Sequence, residues 1–470
     1  MLFNSPIFLF CFAPLFFMLY FLAGKSLRNT VIILSSIFFY AWGEPIFIGI
    51  VLLSALCDWF VGHAIFRENR KATRQLYLSV GILANVGLLF YFKYANFFVE
   101  SVNNLLASVH FNPVILTHIA LPIGVSFIVF EKITYLVDIY RHVGEPAKSI
   151  RSYFLYVLLF PKLLAGPIIK YHDIADQLAQ RNLSIEDAGH GLKRFVIGLG
   201  KKVLIADTLS PVVEAAFKLP AEELGFHNAW VGVICFTLQI YFDFSGYSDM
   251  AIGLARMMGF RLLENFNAPY MSESFTEFWR RWHISLSTWI RDYLYIPLGG
   301  SRISPHRTYL NLWLCFLICG IWHGAKWTFF VVWGIYHGTF LIFEKLCWLQ
   351  YQKYVPRPLN VLMTFFFVMI GWSIFRLETV DQVGYYVPAL FGFSTSTAAP
   401  LHISANIQAC IIIGLLISFS PSLNVEKVTL FYKNMGWRRE FEMAMALAVF
   451  ILSVSQLAVT NFSPFLYFRF

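Results

Sequence analysis

Three clusters of polar residues interrupt an otherwise greasy chain, and each holds groups able to take or give a proton. The first is Tyr241-Phe-Asp-Phe-Ser-Gly-Tyr-Ser-Asp-Met250, with carboxylates at Asp243 and Asp249 and hydroxyls at Tyr241, Ser245, Tyr247 and Ser248. The second is Glu277-Phe-Trp-Arg-Arg-Trp-His-Ile-Ser-Leu-Ser-Thr-Trp-Ile-Arg-Asp-Tyr293, which sets His283 among Arg280, Arg281, Arg291 and Asp292. The third is Cys319-Gly-Ile-Trp-His-Gly-Ala-Lys-Trp327, where His323 lies between two apolar runs. Burying imidazole in hydrocarbon costs free energy unless its nitrogens find partners, so a histidine kept there needs a use. His283 and His323 each follow a tryptophan, Trp282 and Trp322. The other histidines sit near loops or span ends, where a solvated ring needs no explanation, except His337, which fits a packed partner hydrogen-bonded within a bundle. Asp and Ser commonly cap helices, so the first cluster, at the inner end of an apolar run, also fits a loop.

The elements that must position these groups are membrane helices. The 470 residues are 58% hydrophobic and only 13% charged, with a mean hydropathy of +0.62. No polar block of domain size interrupts them, which predicts one integral unit over residues 1–470. The net charge of +9 has no soluble basic module to carry it, so it marks cytoplasmic loops and anionic headgroups of the lipid bilayer rather than nucleic acid. A span needs about 20 mostly apolar residues. Such runs lie at 6–23, 29–42, 46–66, 75–92, 117–138, 191–217, 228–244, 309–322, 327–347, 359–375, 406–420 and 442–460. The pattern predicts an all-α multi-pass protein of about 12 transmembrane helices.

Lys and Arg gather in alternate loops and so fall on one side, as in Arg67, Arg70, Lys71 and Arg74, then Arg141, Lys148 and Arg151. The positive-inside rule makes that side the cytoplasm and puts both termini outside, with the first apolar run a retained anchor. Two stretches break the alternation. Residues 152–170 end in Phe160-Pro-Lys-Leu-Leu-Ala-Gly-Pro-Ile-Ile-Lys170, which reads as a Gly/Pro-broken re-entrant segment, tolerated at membrane depth only when buried in protein or lining a wet cavity. Residues 251–308 are too charged to span and too aromatic to float free, so they read as amphipathic helices at the cytoplasmic interface or dipping into the bundle. The seven cysteines all lie in apolar runs without zinc or disulfide spacing, and read as small buried side chains; no metal site is expected. Gly198-Leu-Gly-Lys-Lys-Val203 lacks the spacing and the Ser or Thr of a phosphate-binding loop and reads as a helix-packing site.

The runs Tyr241 to Met250, Glu264-Asn-Phe-Asn-Ala-Pro-Tyr270, Glu277 to Gly300 and Gly320-Ile-Trp-His-Gly-Ala325 strongly resemble the membrane-bound O-acyltransferase superfamily. Within it the chain looks most like the bacterial alginate O-acetylase branch, to which Leu121-Pro-Ile-Gly-Val-Ser-Phe127 and Leu163-Leu-Ala-Gly-Pro-Ile168 are also similar. The resemblance implies a central tunnel and acyl transfer across the inner membrane, from a cytoplasmic thioester such as acetyl-CoA to an acceptor hydroxyl outside. His323 matches the family's deep tunnel histidine. His283 matches the second histidine of this branch, where other branches carry Asn or Asp. No bound cofactor is implied, and periplasmic acetyltransferase partners are.

Alcohols are poor nucleophiles at neutral pH, and a neutral imidazole can take the hydroxyl proton during attack, a role that falls to His323. His283 would orient the donor or polarise its carbonyl. Arg280 and Arg281 would bind donor phosphates, or else anchor headgroups. Asp243, Ser245, Tyr247, Asp292 and Trp322 complete the tunnel or donor-binding candidates. The ending Phe465-Leu-Tyr-Phe-Arg-Phe470 resembles the Phe-x-Tyr-x-x-Phe ending of a small partner in D-alanyl transfer, which makes Tyr467 a candidate acyl relay, against a plain interfacial aromatic belt. The expected function is O-acetylation of an extracytoplasmic polysaccharide, alginate first, then cellulose or peptidoglycan, then D-alanyl transfer to teichoic acid. A transporter or flippase with buried polar residues along its path is the competing class.

Overall fold

The structure, a computed structural model of the chain, describes residues 1–394, 396, 399–420, 437–459 and 465–466. Among them every regular element is helical. The chain packs as two compact units, one of residues 1–192 with 251–263 and the other of 193–250 with 264–470. Among the described residues, five helices are long and apolar enough to cross a membrane: Phe47–Arg67, Lys71–Ser108, Phe226–Met257, Arg357–Arg376 and Arg439–Val459. Phe8–Leu22, Arg28–Ala41 and Ala405–Phe419 are shorter apolar helices.

Several boundaries differ from the hydropathy pattern. The run at 75–92 lies in the N-terminal part of a 38-residue helix, Lys71–Ser108. At 1.5 Å per residue it is about 57 Å long, nearly twice the roughly 30 Å of hydrocarbon. The run at 117–138 becomes helical only at Val125, because Gly124 holds a left-handed backbone with φ of +79°. A Cβ there would stand 2.6 Å from the carbonyl oxygen of Leu163, so glycine alone allows this approach.

The first unit contains the interrupted segment expected at 152–170. Two short helices, Ile150–Leu158 and Phe160–Leu163, give way to irregular backbone, and Tyr153 and residues 155–169 are buried. Buried irregular backbone must find its hydrogen bonds inside the protein. Phe160 N–H donates to Ser36 Oγ, and Ile169 N–H donates to Glu131 Oε1. The Tyr156 hydroxyl donates to the carbonyl of Ile169 at 2.7 Å. The other oxygen of Glu131 pairs with Lys162, whose ammonium also lies over the Tyr156 ring. One carboxylate therefore holds both ends of the broken segment.

In the second unit the first polar cluster is not at a helix end. Residues 241–250 lie well inside Phe226–Met257, a continuous 32-residue helix, and nearly all are buried. The loop-and-cap alternative for this run is therefore overturned. Local hydropathy drops there because polar side chains face protein instead of lipid, while the backbone keeps its helical bonds. The helix continues through residues 251–257, which the sequence places among interfacial helices. Gly246 meets Gly198 of the helix Ile185–Gly200 back to back. A Cβ on Gly198 would lie 2.5 Å from the Gly246 carbonyl oxygen, and one on Gly246 2.7 Å from that of Gly198. This is the packing role expected for Gly198, in the manner of small-residue contacts between membrane helices.

Candidate functional site

The residues that could do chemistry lie in the second unit. The helix Phe275–Arg281 starts at Ser274, whose hydroxyl accepts the N–H of Glu277. The buried Glu344 carboxylate accepts the N–H groups of Phe275 and Thr276. An anion on the first exposed amides of a helix is well placed for both hydrogen bonding and the helix dipole. After Arg281 the chain turns sharply. His283 sits in the left-handed region, φ +45° and ψ +55°, before the helix Ile284–Ile290 begins. For a residue other than glycine this conformation is uncommon, and it marks a place where surrounding contacts override local preference.

Those contacts come from Asn265. Its backbone carbonyl accepts Ile284 N–H at 2.9 Å. Its side-chain Oδ1 accepts Ser285 N–H at 3.2 Å and the Ser285 hydroxyl at 3.0 Å, and lies 3.2 Å from Nδ1 of His283. A backbone N–H can only donate, so the amide atom facing Ser285 is the oxygen. Nδ1 of His283 must then carry the hydrogen, which leaves the ring's lone pair on Nε2. Nδ2 of Asn265 donates to Ser248 Oγ at 3.3 Å, and the Phe244 ring stands edge-on to His283 at 4.6 Å. The first and second polar clusters thus meet at this ring. Nothing in the Glu264–Tyr270 motif singles out Asn265, because its partners 18 and 20 residues away show only after folding.

Asn265→Ala would strand the Ser285 N–H and hydroxyl and the His283 N–H in a buried site. With an orphaned buried donor costing about 1–3 kcal/mol, the variant is expected to lose about 2–4 kcal/mol of stability. Asn265→Asp, which keeps the oxygen, should lose clearly less, as thermal unfolding in detergent would read.

Burial pushes the His283 imidazole from 6.5 down to about 3, so it is neutral at physiological pH. The unfolded chain takes up this proton below pH 6.5 and the folded chain does not until about pH 3. This contribution to stability is therefore intact above pH 6.5 and lost progressively below it, by about 2 kcal/mol at pH 5. The drop in melting temperature between pH 7 and pH 5 is expected to be smaller in His283→Asn than in the parent chain.

His323 ends the helix Pro305–His323 and is buried. Its ring is edge-on to Trp333 at 5.2 Å and to Phe375 at 5.3 Å. Trp322 lies between the two imidazoles, its centroid 5.0 Å from His323 and 6.3 Å from His283. All three polar clusters therefore converge in this unit. Beyond Trp333 comes His337, 4.8 Å away and packed against Trp279 and Tyr336 as well. It is the packed ring the sequence suggests, but neither nitrogen has a hydrogen-bond partner among the described residues.

The remaining candidates divide. Asp243 pairs with Lys202 and accepts the N–H of Leu466. Ser245 is buried, its hydroxyl without a hydrogen-bond partner among the described residues, and the Tyr247 ring packs on Phe465. Arg281 is engaged by Glu277 at 2.7 Å and by the carbonyl of Asn267, whereas Arg280 is exposed. Asp292 pairs with its neighbour Arg291 at 2.8 Å. Tyr467 lies outside the described residues; Phe465 and Leu466, just before it, are buried. Among the described residues no three His, Cys, Asp or Glu side chains gather as a metal site would require.

Comparison with known proteins gives a consistent result. The sequence profile of the membrane-bound O-acyltransferase family matches residues 29–380. The chain is 40% identical to the "Probable alginate O-acetylase AlgI" of Azotobacter vinelandii and 39% identical to the protein of that name from Pseudomonas putida, in both cases over 100% of each chain. It is 35% identical to the "Peptidoglycan O-acetyltransferase" of Helicobacter pylori, across 81% of this chain and 78% of that one.

Proposed function

Because the chain belongs to the membrane-bound O-acyltransferase family and is an acyltransferase, we propose that it moves acetyl groups across the bacterial inner membrane for O-acetylation of an extracytoplasmic polysaccharide, alginate foremost. The observation that carries this reading is the convergence of two buried imidazoles on Trp322, in a chain alignable end to end with alginate O-acetylases. The architecture is read as about twelve spans around a tunnel, with both termini periplasmic. The donor is acetyl-CoA or another acyl thioester on the cytoplasmic side.

In the reaction, the acceptor oxygen attacks the thioester carbonyl. His323 takes the hydroxyl proton as the new C–O bond forms. Collapse of the tetrahedral intermediate breaks the C–S bond, and the departing thiolate receives a proton from the imidazolium, so atoms and charge balance. His283, neutral and held by Asn265, presents its ring to the donor. Where it bears a hydrogen, on Nδ1, it is already engaged, so its part is to orient the donor through Nε2 and its ring face. Arg280 is an exposed cation of this region, suited to donor phosphates. Tyr467 serves as an acyl relay, supported by the burial of Phe465 and Leu466 immediately before it. Periplasmic acetyltransferases complete delivery.

Purified protein in vesicles, given acetyl-labelled thioester and an oligosaccharide acceptor, is expected to release free thiol and form acetyl ester on the chain or the acceptor. Passage of intact substrate with neither product would instead establish a transporter.

A further inference from the structure

A charged network in the second unit ties the helix of the first polar cluster to residues 201–207. Lys202, 3% exposed, places its ammonium 2.6 Å from Oδ1 of Asp243 and 2.7 Å from Oδ1 of Asp207. Lys202 and Asp207 are five residues apart, which on an α-helix would aim them about 140° apart. They meet because Lys201–Ala206 form a π-turn, one residue wider than an α-turn. The widened turn therefore serves to put one cation between two carboxylates.

Asp243 has one oxygen left after this pairing, and it is occupied. Oδ2 accepts the backbone N–H of Leu466 at 2.7 Å, in a buried bond joining residues 223 positions apart. The neighbouring Phe465 ring lies 4.8 Å from Tyr247 and 5.7 Å from Phe244, and Phe244 is the ring set edge-on to His283. Four residues from the C-terminus, the chain is thus clamped by charge and aromatic packing two rings from a candidate catalytic imidazole. A carboxylate that only neutralised Lys202 would not need a backbone amide on its second oxygen, and Asp207 already supplies Lys202 with an anion.

We propose that Lys202 and Asp243 form a docking site for the chain's own C-terminal segment and act as positioning residues: Lys202 holds the Asp243 carboxylate in place, and Asp243 fixes where the last residues begin. The assignment of Asp243 thereby moves from donor binding to tail anchoring. Its kinetic consequence rests on the acyl-transfer reading above; the docking itself does not.

Hydrogen exchange at the Leu466 amide tests the docking in the full chain, in detergent, without any assay of activity. In Asp243→Ala, Lys202 keeps Asp207, so no buried cation is orphaned and the bundle is expected to remain folded, as read by unchanged exchange in Arg357–Arg376. Leu466 should exchange about 10- to 100-fold faster, the loss expected for a charge-assisted bond. Asp243→Asn, which keeps an acceptor oxygen but loses the ion pair, and Lys202→Met should fall between this variant and the parent. Unchanged Leu466 exchange in folded Asp243→Ala would overturn the docking site. For positioning, the same variant should lower kcat for transfer to the acceptor and leave KM for the thioester unchanged. Raised exchange with unaltered kcat would overturn the positioning role. A parent chain that transfers no acetyl, with Leu466 still released in Asp243→Ala, would sink the acyl-transfer reading and uphold the docking site.

Discussion

His323→Ala is expected to insert and fold and yet to transfer acetyl groups about 10²- to 10⁴-fold more slowly than the parent, the range typical for loss of a general base. That corresponds to about 3–5 kcal/mol in the barrier to transfer. The effect should fall on kcat, because a base acts when the hydroxyl proton moves, while the thioester binds through other contacts. Removing the ring also leaves a gap among Trp322, Trp333 and Phe375, so His323→Gln, which better fills the space, is the control for packing. Both variants should be inactive to a similar degree, while only the alanine variant shows a lowered melting temperature. Transfer at the parental rate by a folded His323→Ala chain would remove the proposed mechanism.

Glu131→Ala should be the most damaging change to stability, at about 3–5 kcal/mol, because it leaves the Lys162 ammonium buried without its counter-ion. It also strands the Ile169 N–H. A buried ion pair need not stabilise a protein for its halves to depend on one another, since the desolvation of two charges offsets much of their attraction. Glu131→Gln combined with Lys162→Met should therefore recover most of what Glu131→Ala loses. The amide can still accept from Ile169, and no unpaired charge remains. Melting curves of the three chains in one detergent would check this order. Equal losses in the single and double variants would mean that the segment is held by shape rather than charge.

The sequence made the membrane class legible because composition and run length are averages over many residues. The break at 152–170 was legible too, through Pro161, Gly166 and Pro167, which weaken helical structure whatever surrounds them. What secures that break was not: Glu131 and Lys132 read as two charges in an apolar run, and their partners Lys162 and Asp58 lie far along the chain in opposite directions. The first cluster was misread as the end of a helix because hydropathy does not distinguish a polar residue facing protein from one facing water. His283 and His323 stood out by their surroundings, but their sharing of Trp322 and the dependence of His283 on Asn265 are properties of tertiary packing. Standing and spacing in a sequence nominate residues; they do not say which of them touch.

The left-handed backbone at position 283 limits which residues can stand there. His, Asn and Asp are the residues, after glycine, that most readily adopt that geometry, since their side chains cost little there. Torsion angles therefore write a short menu at this position, and chemistry can choose only among the residues the main chain will accept. Valine or isoleucine would be refused at this site even if catalysis had no need of a polar group.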